Sequence, residues 1–141
     1  MFISVLLSTF LVLITVIWHY WVILKLYAFM PQNKEHSHFL RSILILLTLF
    51  SNHVLEVLWF SGGYYLGNEY FNIGGFTEGF QPIFRDYFYY STVTYSTLGL
   101  SSFESTGHLK LMTGIESLTG FIMITWSASF FYNLTNRGIK T

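Results

Sequence analysis

The chain has 141 residues, of which 52% are hydrophobic, 21% are aromatic and only 10% are charged. Soluble domains carry about 25% charged residues, so this composition predicts a membrane protein whose first partner is the lipid bilayer. The net charge is zero and cysteine is absent, which argues against a nucleic-acid-binding surface, disulfide bonds and cysteine-based catalysis or metal ligation.

The first predicted element is the apolar run from Phe2 to Leu24, which carries no formal charge. About 20 helical residues cross the ~30 Å hydrocarbon core of a bilayer, so this run is long enough to span it. It is too long for the apolar part of a signal peptide, and no charge precedes it. We therefore predict a retained N-terminal transmembrane helix over residues 1–30, ended by Pro31.

A polar connection follows over residues 31–41 and is predicted to be a cytoplasmic loop. The basic residues cluster in and around this loop and in the tail 137–141, and the positive-inside rule therefore places both in the cytoplasm, with the N-terminus outside. His36 and His38 could hold a metal ion, although two histidines in a loop are weak support for one.

Residues 42–60 form the second predicted span, the outer helix. It contains Asn52, His53 and Glu56, which are costly in lipid and should therefore face protein. The next stretch, 61–81, is rich in glycine and aromatic residues. It is predicted to be an exposed turret loop with turns at Gly62–Gly63 and Gly74–Gly75.

Residues 82–95 are predicted to form a short helix, with Pro82 in its first turn and a length insufficient to cross a bilayer. A loop rich in small residues follows over 96–102, and a third span, the inner helix, over 109–133. A half-helix and a loop between two spans are the layout of a re-entrant pore loop. Backbone carbonyls of Thr97, Leu98 and Gly99 could then replace the water shell of an ion. The alternative is that the hydroxyl groups here only pack between helices.

The segment Thr94 to Ser102, TYSTLGLSS, resembles the potassium-channel superfamily signature TxxTVGYGD. Thr94 and Thr97 match its two threonines, Leu98 its valine and Gly99 its first glycine. The similarity in layout extends from Ser42 to Arg137.

This resemblance implies a tetrameric pore in which carbonyls of the filter bind K⁺ or Na⁺ as the permeant ion, with no other cofactor or metal. The implied filter is Thr97, Leu98, Gly99, Leu100 and Ser101, and the implied support comes from Thr94, Tyr95, Ser96 and Ser102. Gly120 lies near the place where the inner helix of that family carries its gating-hinge glycine.

Three departures from the signature lie in the outer half of the filter. Leu100 replaces the tyrosine, Ser101 the second glycine and Ser102 the aspartate. A left-handed backbone at Ser101 would cost about 1–2 kcal/mol. We therefore expect inner sites near Thr97 and Leu98 and weakened selectivity for K⁺.

Glu56 and Glu116 are predicted to reach similar depths on the outer and inner helices. His53 lies three residues before Glu56 and so shares its helix face. A buried cluster of His53, Glu56 and Glu116 behind the pore helix is therefore possible. It could brace the filter, sense protons or bind a metal.

The sequence thus predicts an all-α membrane protein with three transmembrane helices, a re-entrant pore loop between the second and third, and four subunits around one axis. The predicted function is passive cation transport at the cell membrane, without enzymatic activity. Two alternatives stay open. One is a non-conducting subunit that modulates an unidentified regulatory partner, and the other is a membrane metal-binding enzyme.

Overall fold

The computed structural model describes residues 1–28 and 38–139, with the side chains of 38 and 135–139 outside the description. Within that part the chain is all helical, as predicted. It has four α-helices and one π-helical turn, and a single isolated antiparallel bridge takes the place of strands. The His36–His38 side chains, residues 31–37 of the predicted cytoplasmic loop and the end of the predicted tail lie outside the described residues.

Helix α1 spans Phe2–Ala28 and packs against two other helices with a face that is more polar than its exposed side. The buried residues recur every three or four positions and are Ser4, Ser8, Leu11, Thr15, His19, Val22, Ile23 and Leu26. Large apolar side chains point the other way, among them Leu6, Phe10 and Ile17. The polarity of α1 is therefore inverted relative to a surface helix of a soluble protein.

Helix α2 spans His38–Tyr65 and continues into a π-helical turn at Leu66–Tyr70. The predicted boundaries of the outer helix, 42–60, were too narrow at both ends. The predicted loop at 38–41 and the turn at Gly62–Gly63 were wrong, because these residues are helical.

The reason at Gly63 is packing against neighbouring helices. A Cβ there would lie 2.8 Å from the Met112 side chain and would also collide with Leu11. Gly63 thus lies in a close helix contact, where a larger residue would require the ends of the Leu11 and Met112 side chains to move, and tertiary packing outweighs its low helix propensity.

Helix α3 spans Phe84–Tyr95, and its 12 residues extend about 18 Å. Pro82 was predicted in its first turn but precedes the helix. Ile83 between them is extended, with φ −119° and ψ 155°, and caps the helix. The N–H of Ile83 donates to the Gln81 carbonyl at 2.7 Å, so a tight turn comes before the first helical residue.

Helix α4 spans Leu109–Ile139 and contacts α1, α2 and α3. It extends beyond the predicted inner helix at its C-terminal end. Two helical stretches of the described chain, Phe2–Ala28 and Phe39–Tyr70, are long and apolar enough to cross a membrane. Helix α4 is long enough but less apolar.

The segments on either side of α3 are joined by a short ladder of backbone hydrogen bonds. Thr77 N–H donates to the Glu104 carbonyl at 2.9 Å, and Thr106 N–H donates to the Gly75 carbonyl at 2.7 Å. His108 N–H donates to Ile73 at 2.8 Å, beside the isolated bridge between Phe76 and Ser105. The chain between these segments, α3 and the loop after it, therefore leaves and returns at the same place.

Aromatic rings fill the space between this ladder and the helices. Phe76 stacks on Phe80 with ring centroids 4.0 Å apart, and meets Tyr90 edge-on at 4.9 Å. Tyr64 of α2 and Phe103 complete the group. This packing holds α3 between α2 and α4.

Candidate functional site

The loop that follows α3 leaves the helix through two residues with positive φ. Thr97 has φ 57° and Gly99 has φ 67°. Thr97 N–H donates to the Thr94 carbonyl at 3.0 Å, and Leu98 N–H donates to Val93 at 3.1 Å. These bonds hold the amides of the loop against the end of the helix. A threonine with positive φ is uncommon, so this conformation is imposed by the surroundings.

Unlike the Thr97 and Leu98 amides, the carbonyl groups of Thr97, Leu98 and Gly99 are not hydrogen-bonded within the part of the chain that the structure describes. The loop is also exposed, with 61% of Leu98 and 69% of Leu100 accessible in the single chain. Three successive carbonyls are therefore available to a ligand such as a cation.

The two outer residues of the predicted filter are bonded within the chain instead. Leu100 O accepts a hydrogen bond from the Tyr89 hydroxyl at 3.0 Å. Ser101 Oγ donates to the Phe103 carbonyl at 2.6 Å. Ser101 does not have a positive φ, so the strain expected there does not arise.

Of the predicted supporting residues, Tyr95 is the one with extensive buried contacts. Its hydroxyl donates to Glu56 Oε2 and lies 3.1 Å from His53 Nδ1. Thr94 supports the loop through its carbonyl, and Ser96 Oγ donates back to Thr92 at 2.7 Å. Ser102 is exposed and makes no hydrogen bond within the described residues.

Glu56 is the centre of a buried polar network that joins all four helices. Its Oε1 lies 2.8 Å from His19 Nδ1 of α1 and 2.8 Å from Asn52 Nδ2. Its Oε2 lies 3.0 Å from His53 Nδ1 and contacts Tyr95 of α3.

Ser127 of α4 closes this network on the far side of the two histidine rings. Its Oγ lies 3.0 Å from His53 Nε2 and 3.3 Å from His19 Nε2. We refer to His19, Asn52, His53, Glu56, Tyr95 and Ser127 as the Glu56 network. Glu56 and His19 are fully buried.

Glu116 does not belong to the Glu56 network, so the predicted cluster of His53, Glu56 and Glu116 was wrong in this respect. Glu116 accepts hydrogen bonds from Tyr64 Oη and Ser91 Oγ, both at 2.5 Å. Tyr64, from α2, and Ser91, from α3, form a second site for a carboxyl group on α4. Similar depth in the fold did not bring the two acids together, because Glu56 contacts α3 at Tyr95 whereas Glu116 contacts it one turn earlier, at Ser91.

Sequence reasoning missed His19 and Ser127 as members of the Glu56 network. For His19 a signal was present, because Ser4, Ser8, Thr15 and His19 recur at helical spacing within an apolar run. Such a polar stripe indicates a helix face that contacts protein. For Ser127 no comparable signal exists, since serine is common in membrane helices.

Gly120 lies where α4 passes the end of α3. A Cβ at this position would collide with the backbone carbonyl of Tyr95 and lie 2.9 Å from its ring. Helix α4 runs unbroken through Gly120. Close approach to the loop end of α3 is thus a sufficient reason for glycine here, and the predicted hinge role stays a prediction.

Asp86 organises the other end of α3. Its carboxylate accepts the Gln81 backbone N–H at 2.9 Å and Arg85 Nε at 2.9 Å. The Gln81 N–H, and after it Arg85, hold the pKa of this carboxyl below its usual range. An acidic group in the first turn also complements the helix dipole.

The Glu56 network also contains the residues of the described chain best suited to hold a metal ion. One ligand atom from each of His19, His53 and Glu56 lies within 4.8 Å of the others. These are two nitrogen ligands and a carboxylate, a set that transition metals bind.

Comparison with models of protein families, with curated proteins and with solved structures finds no match for this chain. The function is therefore argued from the loop after α3 and from the helices around it.

Proposed function

We propose that this protein is a subunit of a tetrameric cation channel of the potassium-channel type. The loop 96–102 acts as the filter, and K⁺, or K⁺ and Na⁺ with weak selectivity, moves passively through it. The observation that carries the proposal is the run of three unbonded carbonyls on the exposed residues Thr97, Leu98 and Gly99. Carbonyl oxygens of this kind replace the hydration shell of a monovalent cation.

The ladder between 73–77 and 104–108 supports a re-entrant course for this segment. Irregular backbone at membrane depth is tolerated only where protein buries it or where it lines a water-filled cavity. A half-helix and loop that start and end at one ladder fit that condition. They would dip into the bilayer and return to the same side.

The inverted polarity of α1 supports a membrane location. A helix that turns serines and a histidine inward, and leucine, phenylalanine and isoleucine outward, suits lipid as its surroundings. In this proposal α4 is the third span, lining the pore as the inner helix and needing less apolar character than a helix surrounded by lipid. The N-terminus faces outward and the C-terminus faces the cytoplasm, following the distribution of lysine and arginine.

Exposure of apolar side chains supports assembly into a homotetramer. Leu98 and Leu100 stand out from the loop of a single chain, and Phe84 on α3 is 69% exposed. Cyclic symmetry around the loop would bring such surfaces against a neighbouring subunit. One chain supplies three carbonyls, whereas four chains around one axis would supply three rings of four carbonyls each.

The proposed filter is shorter than the one that the family signature implies. Since the Leu100 carbonyl already accepts a hydrogen bond from Tyr89, the run of unbonded carbonyls ends at Gly99, and the proposed ion sites are those of Thr97, Leu98 and Gly99. Fewer sites in series should weaken discrimination between K⁺ and Na⁺. We therefore expect a reversal potential between those of a K⁺-selective and a nonselective cation pore.

The test is a recording from purified protein in planar bilayers under K⁺, Na⁺ and Cl⁻ gradients, after native mass spectrometry has verified four chains. Gly99→Ala should reduce the cation current at least tenfold, because a Cβ at φ 67° would force the carbonyls to move. Gly79→Ala is the matched control. Gly79 also has positive φ, and neither glycine has an atom within 4 Å of the added Cβ.

Equal currents from Gly99→Ala and wild type would contradict a filter at this loop. A current that follows Cl⁻ would contradict cation conduction. The absence of any current from the verified wild-type tetramer would contradict the channel proposal. The modulatory subunit would then become the better hypothesis.

A further inference from the structure

We infer that the Glu56 network binds one divalent transition-metal ion of the zinc class per chain, with His19 Nδ1, His53 Nδ1 and Glu56 as ligands. The resemblance to potassium channels implies no metal beyond the permeant ion. The arrangement of these side chains favours a resident metal ion. The inference does not rest on the proposed function, because metal content can be measured without a conducting pore.

The type and position of the ligands point to zinc. His19 comes from α1, while His53 and Glu56 share a face of α2, and their ligand atoms already converge. Zinc binds imidazole nitrogen and carboxylate oxygen at about 2.0–2.2 Å, and sets with two histidines and one glutamate are among its known sites. Nitrogen ligands disfavour Mg²⁺ and Ca²⁺, which take oxygen.

Counting hydrogen-bond donors around Ser127 favours a metal over protons alone. If both Nδ1 atoms are protonated and donate to Glu56, neutral histidines present two Nε2 lone pairs to one serine hydroxyl. That hydroxyl has a single proton and can satisfy only one of them. With a metal on both Nδ1 atoms, both Nε2–H groups donate to the two lone pairs of Ser127 Oγ. Such outer contacts orient histidine ligands at metal sites.

Asn52 provides a second, independent observation. It is 5% exposed, and its Oδ1 has no hydrogen-bond partner within the described chain. Its Nδ2 lies 3.0 Å from His19 Nδ1 while both nitrogens approach Glu56 Oε1. Two donors are thus crowded against each other while an acceptor beside them is unused. Rotation of the amide by half a turn would direct Oδ1 toward the ligand atoms, where a cation would satisfy it.

The Tyr95 side chain borders the same site. Its hydroxyl contacts Glu56 Oε2 and lies 3.1 Å from His53 Nδ1.

The experiment uses the full chain in detergent, stripped with EDTA and reloaded with Zn²⁺ or Co²⁺. After gel filtration, elemental analysis should find one metal ion per chain. Bound Co²⁺ should show the intense visible absorption of a tetrahedral site.

Glu56→Gln should bind metal at least tenfold more weakly than wild type. The matched control is Glu116→Gln, which changes the other buried carboxyl and should leave the affinity unchanged. Ser127→Ala leaves every ligand in place but should weaken binding about 10–100-fold through loss of the outer contact. It serves as the decisive variant if Glu56→Gln fails to fold.

Two results would overturn the inference. One is wild-type protein that holds no Zn²⁺ or Co²⁺ after reloading, which would leave a network held by hydrogen bonds alone. The other is equal metal binding by wild type, Glu56→Gln and Ser127→Ala, which would assign the metal to other histidines. A metal-loaded protein that passes no current would contradict only the channel proposal.

Discussion

Tyr95 fixes the start of the candidate filter from two sides. Its hydroxyl contacts the buried carboxylate of Glu56, and its backbone carbonyl faces the bare α-carbon of Gly120 on α4. The first contact sets the rotation of the end of α3. The second sets its distance from α4, because any side chain at Gly120 would separate the two.

We expect Gly120→Ala to lower the free energy of unfolding by about 1–3 kcal/mol, the usual cost of forcing an extra methyl group into a packed contact. Gly114→Ala on the same helix is the control. Its Cβ would meet nothing within 4 Å, so it should raise stability by up to about 1 kcal/mol. Chemical denaturation in detergent measures both. Equal effects of the two substitutions would show that the contact with Tyr95 does not constrain α4.

Individual residues were predictable where one helix determines the geometry. His53 and Glu56 are three apart, so their shared face follows from the sequence alone. The partner of Glu116 was not predictable, because depth along a helix says nothing about the direction in which the side chain points. Helix α4 has apolar residues around its whole circumference, so no amphipathic pattern indicates the direction of Glu116.

At the scale of elements, the ladder between 73–77 and 104–108 depends on glycine at position 74. A Cβ on Gly74 would collide with the Thr106 carbonyl. The neighbouring Gly75 has only ordinary contacts at 3.5 Å and 3.6 Å. Of the two glycines predicted to form this turn, only Gly74 therefore lies where a side chain would not fit.

Gly74→Ala should therefore open the ladder and speed hydrogen exchange about tenfold or more at the amides of Thr77, Thr106 and His108. Each of these amides donates one hydrogen bond of the ladder. Gly75→Ala should leave their exchange unchanged. Hydrogen–deuterium exchange with mass spectrometry resolves the two segments. Protection retained in Gly74→Ala would mean that the ladder tolerates a side chain there.

The helices themselves were largely predictable from apolar runs and from their lengths. The predicted second helix stopped too early because Gly62 and Gly63 were interpreted as turn residues. In the structure the helix continues to Tyr65, since Ser61, Gly63 and Tyr64 pack against α1, α3 and α4. Contacts between distant parts of the chain decided the boundary, and local propensity could not supply them.

At the scale of the whole molecule, α1 occupies a groove between α2 and α4 and contributes polar contacts to both. Ser4 Oγ donates to the His108 carbonyl at 2.7 Å, just before α4 begins. His19 joins the Glu56 network about four turns further along α1. The extra N-terminal helix is thus part of the fold that supports the loop.

The absence of cysteine makes the proposed orientation directly testable in cells. Glu104→Cys, beside the ladder, should react with a membrane-impermeant maleimide on intact cells. Phe39→Cys, 79% exposed at the start of α2, should react only after permeabilisation. The native chain gives no background labelling. The reverse pattern would invert the orientation, and labelling of both positions on intact cells would contradict a span between them.

The ladder also bears on how this chain can change over time. The hydrogen bonds of the ladder join backbone groups or use a threonine hydroxyl at its edge. They therefore hold the two ends of the 78–103 segment together without using the side chains of the loop 96–102. Residues of the exposed loop, such as Leu100, can therefore be replaced with little disturbance of the surrounding helices. Under the proposed function, changes of this kind would alter ion preference while the helical architecture persists.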